Sequence, residues 1–315
     1  MNGVNLDNSI LVSIHCLVYN HEPYLRDCLE GFVMQKTNFR FDAIVHDDAS
    51  TDGSGAIIRE YAEKYPDIIK PIFEIENQYS KQDGSLEYIM NNATKGKYVA
   101  YCEGDDYWIN PNKLQKQIDF LESHKECSAC FGNFLTRTMY NGSRTKMKHR
   151  KTYYDLHDVL SGKMFGLQNL CLRREVINVP IKTSQEDVLI YLQCAVHGKI
   201  GYIDEDFAVY RITGSGVATR WTPEELIGLK CNAYYKLQKH NDICDDRAFV
   251  KLLVFDFLQD IVVNRRDFLK KAKLLNKYEI PVFKKFIWMP FYIFEFFLIT
   301  IWNKLRYPHT IISKI

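Results

Sequence analysis

The chain has 315 residues, 46% of them hydrophobic, and a net charge of +2 at pH 7. That length suits one large α/β domain with a tail, or two domains, with ample apolar material for a core. A balance this close to neutral gives no case for a nucleic-acid partner.

The first ten residues, "MNGVNLDNSI", hold no basic segment followed by an apolar run, so no signal peptide is expected. "ILVSIHCLVYN" (residues 10–20) is a β-branched apolar run that reads as a buried strand. "EPYLRDCLEGFVMQ" has helical spacing, and "FRFDAIVHDD" is a second strand ending in acids. "SGAIIREYAEKYPD" is a helix closed by Pro66, "IIKPIFEI" a third strand, and "SLEYIMNNATKGK" a helix stopped by Gly96. "KYVAYCEG" is a fourth strand. In "NPNKLQKQIDFLESH" the expected N-cap is Asn110, with Pro111 at the first helical position. "ECSACFGNF" reads as another strand, "RTKMKHRKTYY" as a basic loop or hairpin, and "GLQNLCLRREVI" as a strand. "SQEDVLIYLQCAVHG" is an acid-led helix ending at Gly198, and "IGYIDEDFAVYRI" is strand-like. "TPEELIGLKCNAYYKLQKH" carries a capping box, with Thr222 as N-cap and Glu225 three residues on. The remainder reads as helical, as a cap or a dimer surface. Strands and helices alternating with short links predict a doubly wound, mostly parallel sheet.

Nine cysteines stand at 16, 28, 102, 127, 130, 171, 194, 231 and 244. Their number is odd and their spacing scattered, which favours reduced, buried thiols over a disulfide framework. Cys127 and Cys130 form a C-x-x-C, but no second pair at finger spacing follows.

In an open α/β sheet, ligands bind beyond the C-terminal strand ends. Three predicted strand ends are unusually polar: Tyr19, Asn20 and Glu22; Asp47 and Asp48; and Glu103, Asp105 and Asp106. Two readings fit the acidic triplet, a capped solvated turn and a site for a hard divalent cation, whose charge relieves the repulsion. For Asp47 and Asp48 the local reading is capping, since Ser50, Thr51 or Asp52 suffices to cap the next helix. Two further acids are surplus to that need and suit a nucleobase N–H or a ribose hydroxyl. In "VYNHEPYL", Asn20 fits a turn or cap and Tyr19 the face of a base. Glu186 and Asp187 fit a helix N-terminus capped by Ser184.

Taken together, "VSIHCLVYNHEPYL", "HDDASTDGS", "GKYVAYCEGDDYWINPNKL" and "QEDVLIYLQCAVHG" resemble, in order and spacing, the inverting glycosyltransferases of family 2, of the bacterial surface-polysaccharide type. The resemblance covers residues 10–215. It implies a GT-A fold, a Rossmann-like, mostly parallel central sheet flanked by helices. It implies a nucleotide-sugar and catalytic domain over 1–220 and a helical C-terminal region over 221–315. By position, Val18, Tyr19, Glu22, Asp47, Asp48, Glu103, Gly104 and Asp105 would meet the nucleotide of a nucleoside-diphosphate sugar, UDP favoured. Glu103 and Asp105 fall on the family's D-x-D, with Glu in place of the first Asp and Asp106 directly after. Asp105, then Asp106, then Glu103 are the candidate ligands for Mn²⁺ or Mg²⁺. Asp187 matches the catalytic base, with Glu186 assisting or lining the acceptor site. Arg211, and more weakly Arg220, would meet the diphosphate, although Thr213 stands nearby where the family's usual histidine would follow. The implied acceptor is a glycan or lipid-linked glycan, and the implied location is cytoplasmic, on the inner face of the membrane. A sugar nucleotidyltransferase would begin with a glycine-rich basic phosphate loop, which "LVYNHEPYL" lacks. A membrane-docked nucleotide-binding protein without turnover is the non-enzymatic alternative, and the acids at 103, 105, 106 and 187 argue against it.

"FIWMPFYIFEFFLITIW" (residues 286–302) is almost wholly apolar and flanked by lysines and an arginine, but short for a membrane span and interrupted by Pro290 and Glu295. It fits a helix packed on the domain or on a partner subunit, or one lying in a membrane interface; the aromatics and flanking lysines favour the interface.

Overall fold

The computed structural model describes residues 9–81, 83–138, 144–146, 149, 151–160, 165–177 and 186–213, with Ala233 and Leu237. The chain divides into two compact units, Met1–Asp155 with Met164–Gly216, and Leu156–Lys163 with Val217–Ile315. The expected features at Ser184, Arg220, Thr222, Glu225 and residues 286–302 lie outside the described residues. Among the described residues no helix is long and apolar enough to cross a membrane.

In the first unit the order is β1 (Ile10–Val18), α1 (Glu22–Val33), β2 (Arg40–Asp47), α2 (Ser54–Lys64), β3 (Ile69–Phe73), α3 (Ser85–Ala93), β4 (Tyr98–Tyr101), β5 (Tyr107–Trp108), α4 (Lys113–Ser123), β6 (Cys127–Thr138), β7 (Arg144–Lys146) and β8 (Tyr153–Tyr154). A short helix of the second unit, α5 (Leu156–Leu160), interrupts it, and β9 (Cys171–Arg173), α6 (Glu186–His197) and β10 (Lys199–Ile212) complete it. One sheet runs in the order β3-β2-β1-β4-β9-β6-β10-β5, with β7 on β6 and β8 on β10. β3, β2, β1 and β4 are parallel. The sheet is mixed further on, because β9 runs antiparallel between β4 and β6. The chain builds outward from β1 to β3 and then returns to place β4 on the other side of β1. That reversal is a topological switch point, and the C-terminal ends of β1 and β4 beside it are where open α/β sheets place a ligand crevice.

β1 is buried on both faces, as parallel strands covered by helices are. Val12, Ile14, Cys16 and Val18 join the main core with Leu25, Cys28, Leu29 and Phe32 of α1. The α1 residues recur at helical spacing, so one stripe is apolar. The opposite face of β1 is polar yet satisfied: Ser13 Oγ accepts from Gly96 N at 2.9 Å, and His15 Nε2 lies 2.6 Å from Thr94 Oγ1. The seven described cysteines are free and buried, including Cys127 and Cys130.

Several boundaries differ from the sequence reading for local reasons. β1 ends at Val18 because Asn20 turns the chain with φ 56°. α3 ends at Ala93, three residues before Gly96. Gly96 is needed for close approach: a Cβ there would lie 2.4 Å from Ser13 N and 2.7 Å from Tyr98 O. Asn110 does not cap α4. Its Oδ1 accepts from Asn112 N at 2.9 Å in a turn of its own, and the N-cap position falls on Asn112.

Two measurements test this packing. Gly96→Ala meets backbone atoms that cannot rotate away, so urea unfolding should show a loss of about 1–3 kcal/mol; an unchanged midpoint would remove the close-approach argument. Burial, with help from the Arg174 charge, pushes the His15 imidazole down to about 3. The unfolded chain protonates near the ordinary value of about 6.5. His15 therefore takes up a proton only on unfolding, and its contribution is full above that value and lost as pH falls toward about 3. His15→Asn should flatten the fall in unfolding free energy between neutral and acid pH.

Candidate active site

The parallel register brings the three polar strand ends to one rim. Val18 pairs with Asp47, and His15 with Tyr101. Beyond β4 the chain keeps bonding to β1: Cys102 N donates to His15 O at 3.1 Å and Gly104 N to Leu17 O at 2.9 Å. The turn holding Glu103, Asp105 and Asp106 is therefore an extension of the sheet edge.

The loops after β1 and β2 are tied together. Asn20 N donates to Ser50 Oγ and His21 N to Ser54 Oγ, both at 2.9 Å. Thr51 N donates to Asn20 Oδ1 at 2.8 Å. Glu22 N donates to Asp52 Oδ2 at 3.0 Å, and Glu22 Oε2 accepts from Gly53 N at 2.7 Å. Asn20 and Ala49 both have positive φ, 56° and 62°. For a non-glycine residue that is strain, and these hydrogen bonds hold it in place. Asp47 Oδ1 accepts from Ser50 N at 3.0 Å, inside its own turn. Asp48 is buried, and its two oxygens accept from Gln78 N at 2.6 Å and Tyr79 N at 3.0 Å. Asp48 thus fastens the loop after β3 to the rim. Tyr19 is 48% exposed beside these loops, its ring open to a ligand, and Val18 is buried beneath it.

The acid turn is fixed from several sides. Asp106 N donates to Glu103 O at 3.0 Å. The Cys28 thiol donates to the same carbonyl at 3.4 Å. Gly104 lies against the β1–α1 loop, where a Cβ would meet His21 Nδ1 at 2.7 Å and Val18 Cγ2 at 3.0 Å. Trp108 anchors the C-terminal side: it is buried, meets Phe32 edge-on at 5.0 Å between centroids, and donates Nε1 to Gln168 O at 2.7 Å. Lys113, fully buried, places Nζ 3.9 Å from the Trp108 ring centroid and donates to Gln117 Oε1; burial pushes its amine down to about 8. Asp106 is 2% exposed and accepts from Arg211 N at 2.8 Å. Burial and the neighbouring Asp105 charge push its carboxyl well above the usual range.

Glu186 and Asp187 open α6. The surrounding protein desolvates the Asp187 carboxyl enough to raise its pKa. Tyr210, near the end of β10, is where the acids converge. Burial first, then the charges of Asp106, Asp105, Glu103 and Asp187, push its hydroxyl up to about 12. Tyr191 of α6 is raised by burial and by Asp187 and Glu103. β10 runs parallel to β6, so its C-terminal end, with Tyr210, reaches the same rim as the acid turn at Glu103.

Arg211 is 5% exposed, donates Nη1 to Asp105 O at 2.9 Å, and pairs through Nη2 with Asp27 of α1. Its guanidinium carbon lies 4.2 Å from the Tyr107 ring centroid. It is thus a buried cation engaged by the acid turn and by α1. Sequence reasoning did not single out Tyr191, Tyr210, His21 or Asp27: the first three lie inside quoted motifs, but as aromatic or imidazole side chains beside the acids they carried no signal of their own, and Asp27 reads as an ordinary exposed helix residue.

Among the described residues no three His, Cys, Asp or Glu side chains form a ready-made metal cage. The turn offers hard oxygen donors, few in number, with their mutual repulsion evident at Asp106. That suits Mg²⁺ or Mn²⁺, which keep several positions for water and substrate phosphate.

A profile described as "Glycosyl transferase family 2" matches residues 13–179, more than half of the chain. An uncharacterized protein of Mycobacterium tuberculosis is 34% identical over 212 residues, 65% of this chain and 60% of that protein. The chain therefore spans less than two thirds of that relative's length. The putative teichuronic acid biosynthesis glycosyltransferase TuaG of Bacillus subtilis is 26% identical over 218 residues, 67% of this chain and 83% of that protein. Among solved structures, Staphylococcus aureus TarS in complex with UDP-GlcNAc superposes with a TM-score of 0.60 at 17% identity, over 85% of this chain and 78% of that one. With the switch-point crevice, the acid turn at its rim and this match to the family, the chain belongs to glycosyltransferase family 2 and has the GT-A fold.

Proposed function

We propose that the protein is an inverting, metal-assisted glycosyltransferase that moves a sugar from a nucleoside-diphosphate donor to a hydroxyl of a glycan or lipid-linked acceptor. The observation that supports this reading is the acid turn itself: Glu103, Asp105 and Asp106 stand directly beyond β4, held to the end of β1 by Gly104 N donating to Leu17 O, on the rim that β10 also reaches. Carboxylates from the β4 turn and from the start of α6 then serve two ends of one reaction. UDP is the favoured donor nucleotide, in keeping with the UDP-GlcNAc complex of TarS. A glycan acceptor is in keeping with the teichuronic acid assignment of TuaG. The division at residue 220 and a membrane-surface location through residues 286–302 belong to the same proposal.

In this mechanism Tyr19 lies against the base, and the tied loops carrying Asp47 and Asp48 form the floor beneath the nucleoside. Asp105, with Glu103 or Asp106, would hold the divalent cation. When bound, that cation neutralises charge growing on the departing diphosphate. The acceptor oxygen forms a bond to the anomeric carbon from the face opposite the diphosphate. The bond from that carbon to the phosphate oxygen breaks, and the electron pair leaves with the nucleoside diphosphate. Asp187 takes the acceptor proton, which requires an ionised carboxylate on the attacking side. Attack and departure on opposite faces invert the anomeric configuration.

Calorimetric binding of UDP, GDP and CDP, each with Mn²⁺ and with EDTA, tests the donor half. Binding of one nucleotide that is lost with EDTA is expected; no binding of any would sink the reading. Asp105→Asn should weaken metal-dependent binding by about 10- to 100-fold. Asp187→Asn should lower the transfer rate by about 10²- to 10⁴-fold while leaving donor binding within twofold. Full activity in that variant would displace Asp187 as the base. Because burial raises the Asp187 pKa, the base is lost early on acidification. The acid limb of the kcat profile should therefore titrate above the ordinary aspartate value of about 3.9; a limb at or below it would contradict the assignment.

A further inference from the structure

We propose that Arg211 is a positioning residue for the acid turn and not a ligand of the diphosphate, and that Asp27 of α1 is its anchor. The inference rests on the active-site reading above and adds two roles to it.

The geometry is specific. Arg211 touches the turn twice, once through its backbone N–H to Asp106 Oδ1 at 2.8 Å and once through Nη1 to the Asp105 carbonyl at 2.9 Å. The first contact selects one Asp106 oxygen and leaves the other for a different partner. The second fixes the peptide between Asp105 and Asp106, and so the direction in which the Asp105 side chain leaves the backbone. Nη2 reaches away from the turn to the Asp27 carboxylate. The guanidinium is packed against Tyr107, with the Tyr24 ring centroid 5.5 Å from its central carbon. Its side chain is 4% exposed, and that of Asp27 is 61% exposed. Two of the guanidinium's five N–H donors are engaged, one by the Asp105 carbonyl and one by the Asp27 carboxylate, and its carbon lies 4.2 Å from the Tyr107 ring centroid. At 4% side-chain exposure the guanidinium is presented to protein and not to open solvent. The three elements held together, α1, the turn after β4 and the end of β10, are remote in sequence. Without the clamp, the repulsion among Glu103, Asp105 and Asp106 favours a splayed turn.

The two roles for Arg211 predict opposite effects at Asp27. If the arginine serves the diphosphate, removing the Asp27 charge frees it, and binding is unchanged or tighter. If it serves the turn, the same change loosens the metal ligands. The test uses the full chain with whichever of UDP, GDP or CDP the unaltered protein binds, held at a fixed concentration. Mn²⁺ is titrated and free Mn²⁺ followed by its paramagnetic resonance signal. Asp27→Asn should raise the Mn²⁺ midpoint by about two- to five-fold, the range of an exposed ion pair. Its melting temperature should fall by no more than about 4 °C. Arg211→Lys keeps the charge but loses the fork, and should raise the midpoint at least as much. Should Arg211→Lys fail to fold, Asp27→Asn decides alone, because its side chain lies at the surface. A midpoint unchanged or lowered in Asp27→Asn overturns the proposal. If the unaltered protein binds no nucleotide with Mn²⁺, the acid turn is not a donor site and the proposal falls with that reading. A normal response of the unaltered protein beside an unmoved Asp27→Asn overturns the clamp alone.

Discussion

The turn from Glu103 to Asp106 is held by backbone hydrogen bonds to the end of β1, and the rest of the rim is arranged around it. Three carboxylates in four residues repel each other, and a free loop would answer by spreading them. Here the spreading is blocked on each side. Cys102 N and Gly104 N continue the parallel ladder onto His15 and Leu17. Trp108 is locked in the core by its ring contact with Phe32 and its hydrogen bond to Gln168. Arg211 closes the remaining side. The cost of keeping Asp106 charged in that setting appears as its raised pKa, with burial the larger cause and Asp105 the next. A cation placed beside the turn would relieve repulsion of this kind.

The neighbouring loops use the same logic with hydrogen bonds in place of charge. Asn20 and Ala49 adopt left-handed backbone conformations at the two sharpest points of the rim. Each such residue costs of order 1–3 kcal/mol. Ser50, Ser54, Asp52 and Glu22 cross-link the loops and offset that strain. Asp48 does the same for the loop after β3, accepting two backbone N–H groups that would otherwise be buried without partners. Several residues in the "HDDASTDGS" segment therefore fix the loops at the rim through hydrogen bonds within the protein. Preorganised walls lower the ordering cost of binding.

The two acid sets reach one place by different routes. The turn after β4 arrives because β4 lies beside β1 at the switch point. Asp187 and Tyr210 arrive because α6 leads directly into β10, which runs parallel to β6 and returns to the rim. β9, antiparallel between β4 and β6, joins the two halves of the sheet. Its three residues are what keep both halves in a single sheet.

Much of this was legible in the sequence. Runs such as "ILVSIHCLVYN" and "KYVAYCEG" gave strands, and the alternation with helices gave a parallel N-terminal half, because periodicity and β-branching are local properties. The acids at 47, 48, 103, 105 and 106 stood out because charge at the end of a buried strand has no packing reason, whereas Asp187, at a helix start, was picked out by the family resemblance. What the sequence could not supply was partner choice. Nothing local distinguishes a free Arg211 from one bound to Asp27, 184 positions away. Nothing local shows that Asp48 is engaged by the backbone of Gln78 and Tyr79, or that Gly96 is a point of close approach and not a helix stop. Asn110 followed by proline looks like a helix start, yet the chain takes one more turn first. The sequence by itself determined which segments form strands and helices, which residues carry charge to the strand ends and which chemistry they suit. The tertiary structure decided which of those charges are already engaged, since hydrogen bonds between distant segments depend on register and close packing, and neither is written in any single stretch of residues.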